Sequence, residues 1–195
     1  MKLHLGSGSR LLDGWLNVDE WEGYPSLTPE QYLRHDLRHP VPLPDGCADY
    51  VYSEHFIEHL DLEAGTRMFG EMFRLLKSGG IMRVSTPNLA ELVDAYIHRD
   101  IRRWQSWQPE SPARILNDGL TSWGHKFTYD EQEIRDTIIK VGFVDLVMRE
   151  WGKSDHEALR GLEHRPQQKD IILEAKKPLL ACTKTQELES KMSQG

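Results

Sequence analysis

The sequence predicts an α/β fold, a doubly wound, mostly parallel sheet closed by a late antiparallel strand pair. Three observations predict it. Short apolar runs alternate with amphipathic stretches of helix length from Leu3 to Val141, the pattern of strand–helix–strand units. The runs end in turn at Gly6 and Gly8, Asp19, Asp36, and Ser53 to His55, and ligands of open α/β sheets sit outside the carboxyl ends of the strands. Two further runs, 143–151 and 169–176, then read as an antiparallel pair, with a turn of helix expected at 156–162 between them.

The first strand (Leu3, Leu5) stops at Gly6-Ser7-Gly8. Glycine there permits positive φ and leaves no Cβ to bar a ligand from the main chain. The next run (Trp15, Leu16, Val18) stops at Asp19, and an acidic residue at such a strand tip can accept hydrogen bonds from a ribose diol. Thr28, Pro29 and Gln31 spell a capping box opening a short helix. Residues 33–37 form a third strand ending at Asp36, and three prolines within 38–46 make an extended connection. A strand over 48–53 leads into one or two helical turns at 54–60. A helix over 62–77 follows, with its inward positions at 65, 68, 69, 72, 73 and 76 and Gly79 as left-handed cap. After a strand at 81–85, Asn88 and Glu91 cap a helix that turns Leu89, Leu92, Val93, Tyr96 and Ile97 to one side. Periodicity fades over 99–124, a lid-like insertion carrying Trp104, Trp107 and Trp123. Thr128 and Glu131 cap a last helix using Ile134, Ile138, Ile139 and Val141, ended by Gly142. The expected domain is 1–178, followed by a polar flexible tail, 179–195.

Bulk properties narrow the function. Lys and Arg number 24 against 31 Asp and Glu, a net charge of −7, which disfavours nucleic acid because that binding rests on basic side chains neutralising phosphates. No apolar run approaches the ~18 residues of a membrane span, and no signal peptide precedes the first strand. Two cysteines, Cys47 and Cys182, make no disulfide framework. A cytoplasmic protein with a small-molecule partner is expected; the oligomeric state stays open.

Several stretches then point to one family. H-L-G-S-G-S, N-V-D-E, P-L-P-D-G-C-A-D-Y-V-Y-S-E-H-F-I-E-H-L and L-L-K-S-G-G-I-M-R-V-S-T-P-N-L together resemble the class I S-adenosylmethionine-dependent methyltransferases, in a compact bacterial form with a shortened first helix. The resemblance runs from residue 3 to about 176 and is most specific over 36–87. It implies S-adenosylmethionine as cofactor. Gly6, Ser7 and Gly8 would approach its methionyl part, Asp19 its ribose, and Asp36 with the Leu37 backbone its adenine; Ser53 ends a strand beside them. Two positions depart from the family pattern: His4 stands where an acidic residue is usual, and Arg10 where a third glycine is usual.

An oxygen acceptor of a methyl group must also lose a proton, and histidine has a pKa suited to taking it. His55, at a strand end, is the first candidate and His125 the second. No metal is required on this account. Glu58 and His59 are expected to orient the following helix, and similar compact proteins suggest a sugar or glycan precursor as acceptor. Two other functions fit parts of the chain. The altered glycine loop suits a catalytically inactive cofactor-binding or protein-interaction module, and His55-Phe56-Ile57-Glu58-His59 matches the H-x-x-E-H signature of a zinc hydrolase.

Overall fold

Leu3 and Leu5 point to one side of strand β1 (Lys2–Leu5) and His4 to the other, and all three are buried. A strand covered on both faces belongs at the centre of a sheet. Accordingly β1 pairs in parallel with β2 (Leu16–Asp19) on one side and β4 (Ala48–Glu54) on the other. Strand β3 (Tyr32–Arg34) extends the sheet beyond β2, and β5 (Leu76–Thr86) beyond β4. Strands β6 (Val144–Met148) and β7 (Ile171–Lys176) complete seven strands in the order β3-β2-β1-β4-β5-β7-β6, with β7 antiparallel to both neighbours. This computed structural model describes residues 1–22, 24, 26–165 and 169–179. The expected tail, Cys182 included, lies outside the described residues except for Leu179.

The two faces are covered differently. Helices α1 (Leu62–Leu75) and α4 (Glu131–Val141) pack Met68, Phe69, Met72, Ile134 and Ile138 onto Leu3, Leu5, Val51, Met82 and Leu173. On the other face Trp15, Tyr52 and Ile81 meet Leu159 and Leu162, which come from the irregular strap 149–165 with its single 3-10 turn, Glu157–Leu159. Charge fixes that strap. Arg83, fully buried on β5, donates from Nε to Glu163 (2.6 Å) and from Nη1 to Glu174 (2.6 Å) and to the Lys153 carbonyl (2.9 Å). Glu174 also accepts from Arg149 Nε at 2.8 Å, and Glu163 from the Gly152 N–H at 3.1 Å. Buried charges persist only when paired in this way.

Local signals differ from expectation at several points. Residues 28–31 form one turn, with Gln31 Oε1 accepting from the Thr28 N–H at 3.1 Å, because Tyr32 is already taken by β3. Helix α1 starts at Asp61, whose side chain accepts from the Ala64 N–H, and stops without a glycine cap, since Leu76 pairs with Ala48 and turns the chain straight into β5. Gly79 instead donates its N–H to the Lys177 carbonyl. Asp130, not Thr128, caps α4, and Gly142 ends it in the left-handed conformation (φ +112°). Asn88 caps α2 (Leu89–Ile97), but Glu91 is drawn away to Arg103, 2.9 Å from its Nη1. Leu92 and Ala95 are the inward stripe of α2, clustered with Trp104 from the segment that follows and with Ile115 of α3 (Pro112–Thr121). Val93, Tyr96 and Ile97 are therefore exposed, as is Ile139 on α4.

His4 carries a testable consequence. Its ring is buried beside Tyr52, 5.2 Å between centroids, with Nδ1 3.0 Å from Asn17 Oδ1. Burial pushes its pKa from 6.5 down to about 4, against the Asn17 hydrogen bond. The unfolded chain therefore binds this proton first as pH falls, and stability drops through the window from 6.5 to 4. Between pH 7 and 4.5 the wild type should lose of order 2 kcal/mol more than His4→Gln, measured by urea unfolding. Parallel pH profiles for the two proteins would contradict the assignment.

Candidate functional site

Parallel strands β1, β2, β4 and β5 end at one edge of the sheet, and reversed β7 begins there, Ile171 pairing with Thr86. The residues just outside these ends are thereby brought together from distant parts of the chain.

On one flank lies the glycine loop. Gly6 (φ +71°) donates its N–H to the Val18 carbonyl at 2.9 Å, and Gly8 (φ +51°) donates to Asp19 Oδ2 at 2.8 Å. A Cβ on Gly6 would stand 2.4 Å from Phe56 Cγ, so the close approach at this glycine is made by the Phe56 ring. Nothing lies within 4 Å of the equivalent point on Gly8. Asp19 Oδ1 accepts from the Trp21 N–H at 3.1 Å, and each of its oxygens keeps a further lone pair for a hydroxyl. Asp36 follows β3 by two residues and is held by Arg38, which donates from Nε at 2.8 Å and from its backbone N–H at 2.9 Å. The Arg38 side-chain hydrogen bonds hold this carboxyl well below the usual carboxylate range. Leu37 beside it is buried. The hydroxyls of Ser7 and Ser53 are buried without a hydrogen-bond partner, unusual for polar atoms in a folded interior.

His55 sits at the seam. It adopts a left-handed backbone (φ +50°) right after β4. Its Nε2 lies 2.9 Å from Asp170 Oδ2 and its Nδ1 3.1 Å from Glu58 Oε1; the Glu58 side chain is fully buried, and those of His55 and Asp170 are largely so. Each ring nitrogen faces a carboxylate, and two such charges favour the doubly protonated ring, an imidazolium. Burial works to lower its pKa, yet the carboxylates of Asp170 and Glu58 facing it prevail and lift it to about 9. Burial pushes Asp170 up to about 6.

Beyond His55 opens a cavity of about 630 Å³. Helices α2 and α3 and the segment between them supply one wall, where Trp104 and Trp107 lie 4.9 Å apart, and Trp107 meets Trp123 edge-on at 5.4 Å. The aromatic chain continues through His125, 5.6 Å from Trp123, to His59 at 5.1 Å. Trp123 is 58% exposed. His125 is placed by its neighbours: the N–H groups of Lys126 and Phe127 both donate to the Glu58 carbonyl, and His125 Nδ1 lies 2.9 Å from the Gly119 carbonyl. Gly6, Gly8, Asp19 and Asp36 do not line this cavity; His55 and Asp170 do.

The two departures in the loop have structural roles. Arg10 donates to Glu54 Oε2 at 2.7 Å, and Glu54 also accepts from the His164 N–H at 3.0 Å, tying loop to strap. His4 engages Asn17, as above. The H-x-x-E-H histidines do not act as a helical pair: one 3-10 turn, Ile57–His59, separates them and His55 is committed to Asp170. Asp170, Glu54 and His164 were invisible in the sequence, since no spacing signals a contact across 115 residues.

Residues 19–84 match the family model described as a methyltransferase domain. A curated protein of Mycolicibacterium smegmatis, described as a probable S-adenosylmethionine-dependent methyltransferase, is 44% identical over 77 residues, 37% of this chain but only 29% of that protein. A S-adenosylmethionine-dependent methyltransferase from Archaeoglobus fulgidus superposes with TM-score 0.59 and 20% identity, covering 90% of this chain and 85% of the other. One from Mesorhizobium loti gives 0.56 and 18%, covering 90% of each. The chain has the class I S-adenosylmethionine-dependent methyltransferase fold. The parallel strand ends described above form one edge, and a late reversed strand completes the sheet beside them.

The His55 clamp can be tested by His55→Asn, which tolerates the left-handed backbone but removes the charge between two buried carboxylates. Loss of one partner from such a group costs about 3–5 kcal/mol, read as a lower urea midpoint at pH 7. A change under about 1 kcal/mol would show that the ring is not the cation described.

Proposed function

We propose that the protein transfers a methyl group from S-adenosylmethionine to a small acceptor, a sugar or glycan precursor, received in the tryptophan-lined cavity. The observation that carries this is the division of one sheet edge by His55 into a glycine–aspartate flank and an aromatic cavity.

The flank suits the cofactor. Gly8 has open space, Ser7 and Ser53 have hydroxyls awaiting partners, and Asp19 retains lone pairs. The cations nearby, Arg10 and Arg38, are each paired with a carboxylate, Glu54 and Asp36, so the edge favours a positively charged ligand. Asp19 would hold the ribose, the loop 6–8 the methionyl part, and Asp36 with the Leu37 backbone the adenine. When bound, the cofactor supplies an electrophilic methyl group on a positive sulfur.

On the acceptor side the chain mainly positions and excludes water, the dominant needs of an in-line displacement. Trp107 and Trp123 offer rings to the apolar face of a sugar, and segment 99–124 serves as lid. His55, with no free lone pair, orients Glu58 and Asp170 in place of the general-base role expected for it. His125 remains an acceptor-side residue. The cavity volume fits a ligand of this size. That Arg10 and His4 have structural partners removes the reason to infer an inactive module.

Calorimetric titration with S-adenosylhomocysteine should give one-site binding, and Asp19→Ala should weaken it on the order of 10- to 100-fold, the loss of a charged hydrogen-bond acceptor. No binding by the folded wild type, or unchanged affinity in the variant, would contradict the cofactor assignment.

A further inference from the structure

Glu58, His59 and His125 each present one ligand atom within 4.8 Å of the others, on the wall of the acceptor cavity. Two residues come from the 3-10 turn after β4 and the third from the start of the segment after α3, 66 positions later by number, pinned there by the Lys126 N–H on the Glu58 carbonyl (2.8 Å). We propose that these three side chains form a binding site for one divalent transition-metal ion, zinc or iron(II) in type.

The donor chemistry supports it. Two imidazoles and one carboxylate leave open positions in a tetrahedral or octahedral sphere, the arrangement of metal sites that also hold a substrate. With bonds of about 2.0–2.1 Å, ligand atoms in such a sphere stand about 3.0–3.4 Å apart, within reach of small side-chain rotations from the present spacing.

The surroundings favour it too. The Gly119 carbonyl can only accept, so His125 Nδ1 carries the proton and Nε2 presents its lone pair. A second group that fixes the tautomer is a regular companion of metal-bound histidine. Glu58 is fully buried: Oε2 accepts from Thr86 Oγ1 at 3.0 Å, while Oε1 makes no hydrogen bond and lies 3.1 Å from His55 Nδ1. His55 and Thr86 thus orient the carboxylate from behind. The histidines of the H-x-x-E-H stretch are divided between tasks: His59 joins the metal set and His55 supports it.

The ion binding stands on these three residues alone. Its use rests on the methyltransferase function proposed above: open positions facing the cavity would take hydroxyl or carboxylate oxygens of the acceptor and fix which one faces the cofactor edge.

The test is titration of the full chain, stripped with EDTA and dialysed, with Co²⁺ and Zn²⁺ by calorimetry and visible absorption. The expected result is one Co²⁺ per chain with a ligand-field band, displaced by Zn²⁺. His59→Gln and His125→Gln, each checked for unchanged circular dichroism, should weaken binding on the order of a hundredfold, one ligand's share of such a site. No stoichiometric binding, or binding retained in both variants, would overturn the proposal. S-adenosylhomocysteine titrated into the same stripped protein separates the two claims. Cofactor binding without metal binding defeats only this site, and metal binding without cofactor binding defeats only the methyltransferase function.

Discussion

The site depends on one reversal of chain direction. Every strand from β1 to β5 delivers its carboxyl end to the same edge, and backbone geometry places only their following residues there. Strand β7 runs the other way, so the residue before it, Asp170, arrives at that edge as well. Asp170 and Glu58 then close on His55 from both sides, with the ring and both carboxylates largely shielded from water. Such a trio is costly to bury and costly to break, and it holds the glycine-loop flank and the cavity in a fixed relation. Phe56, next in sequence, fills the space over Gly6, so the same short turn shapes both flanks.

The opposite sheet face answers a different problem. The connection between β1 and β2 is too short for a full helix, and Trp15, Tyr52 and Ile81 would be left bare. The strap 149–165 covers them with Leu159 and Leu162, and being irregular it brings unpaired backbone groups that need partners. Arg83 partners the Lys153 carbonyl and Glu163 the Gly152 N–H. Glu54 then joins strap to loop through His164 and Arg10. Arg10, which looks like a defect of a glycine-rich loop, is an anchor of this substitute for a helix.

Much of the architecture was legible because it is written in local patterns. The apolar periods of α1 and α4 and the strand runs ending in Gly6, Asp19 and Ser53 depend on neighbours within a few residues. Errors arose where tertiary pairing overrode a local signal. Leu76 is claimed by Ala48 before Gly79 can cap α1, and Glu91 is claimed by Arg103 before it can close a capping box. In α2 the sequence offers a wide apolar face, but α3 covers only Leu92 and Ala95. The histidine motif was visible as residues and opaque as chemistry. Asp170 beside His55 and His125 beside His59 both lie far from the motif in sequence, and a pair of histidines four apart cannot show which of them turns toward the cavity.

If His55 marks the seam between a cofactor flank and an acceptor cavity, a bound cofactor must lie on one side of it. The most direct measurement is a crystal structure with S-adenosylhomocysteine. This account predicts ribose oxygens on Asp19, the amino-acid part along residues 6–8, and sulfur turned toward the His55 side of the cavity, with Trp107 and Trp123 left free. A ligand seated among the tryptophans, with the Asp19 carboxylate still accepting only from Gly8 and Trp21, would contradict it.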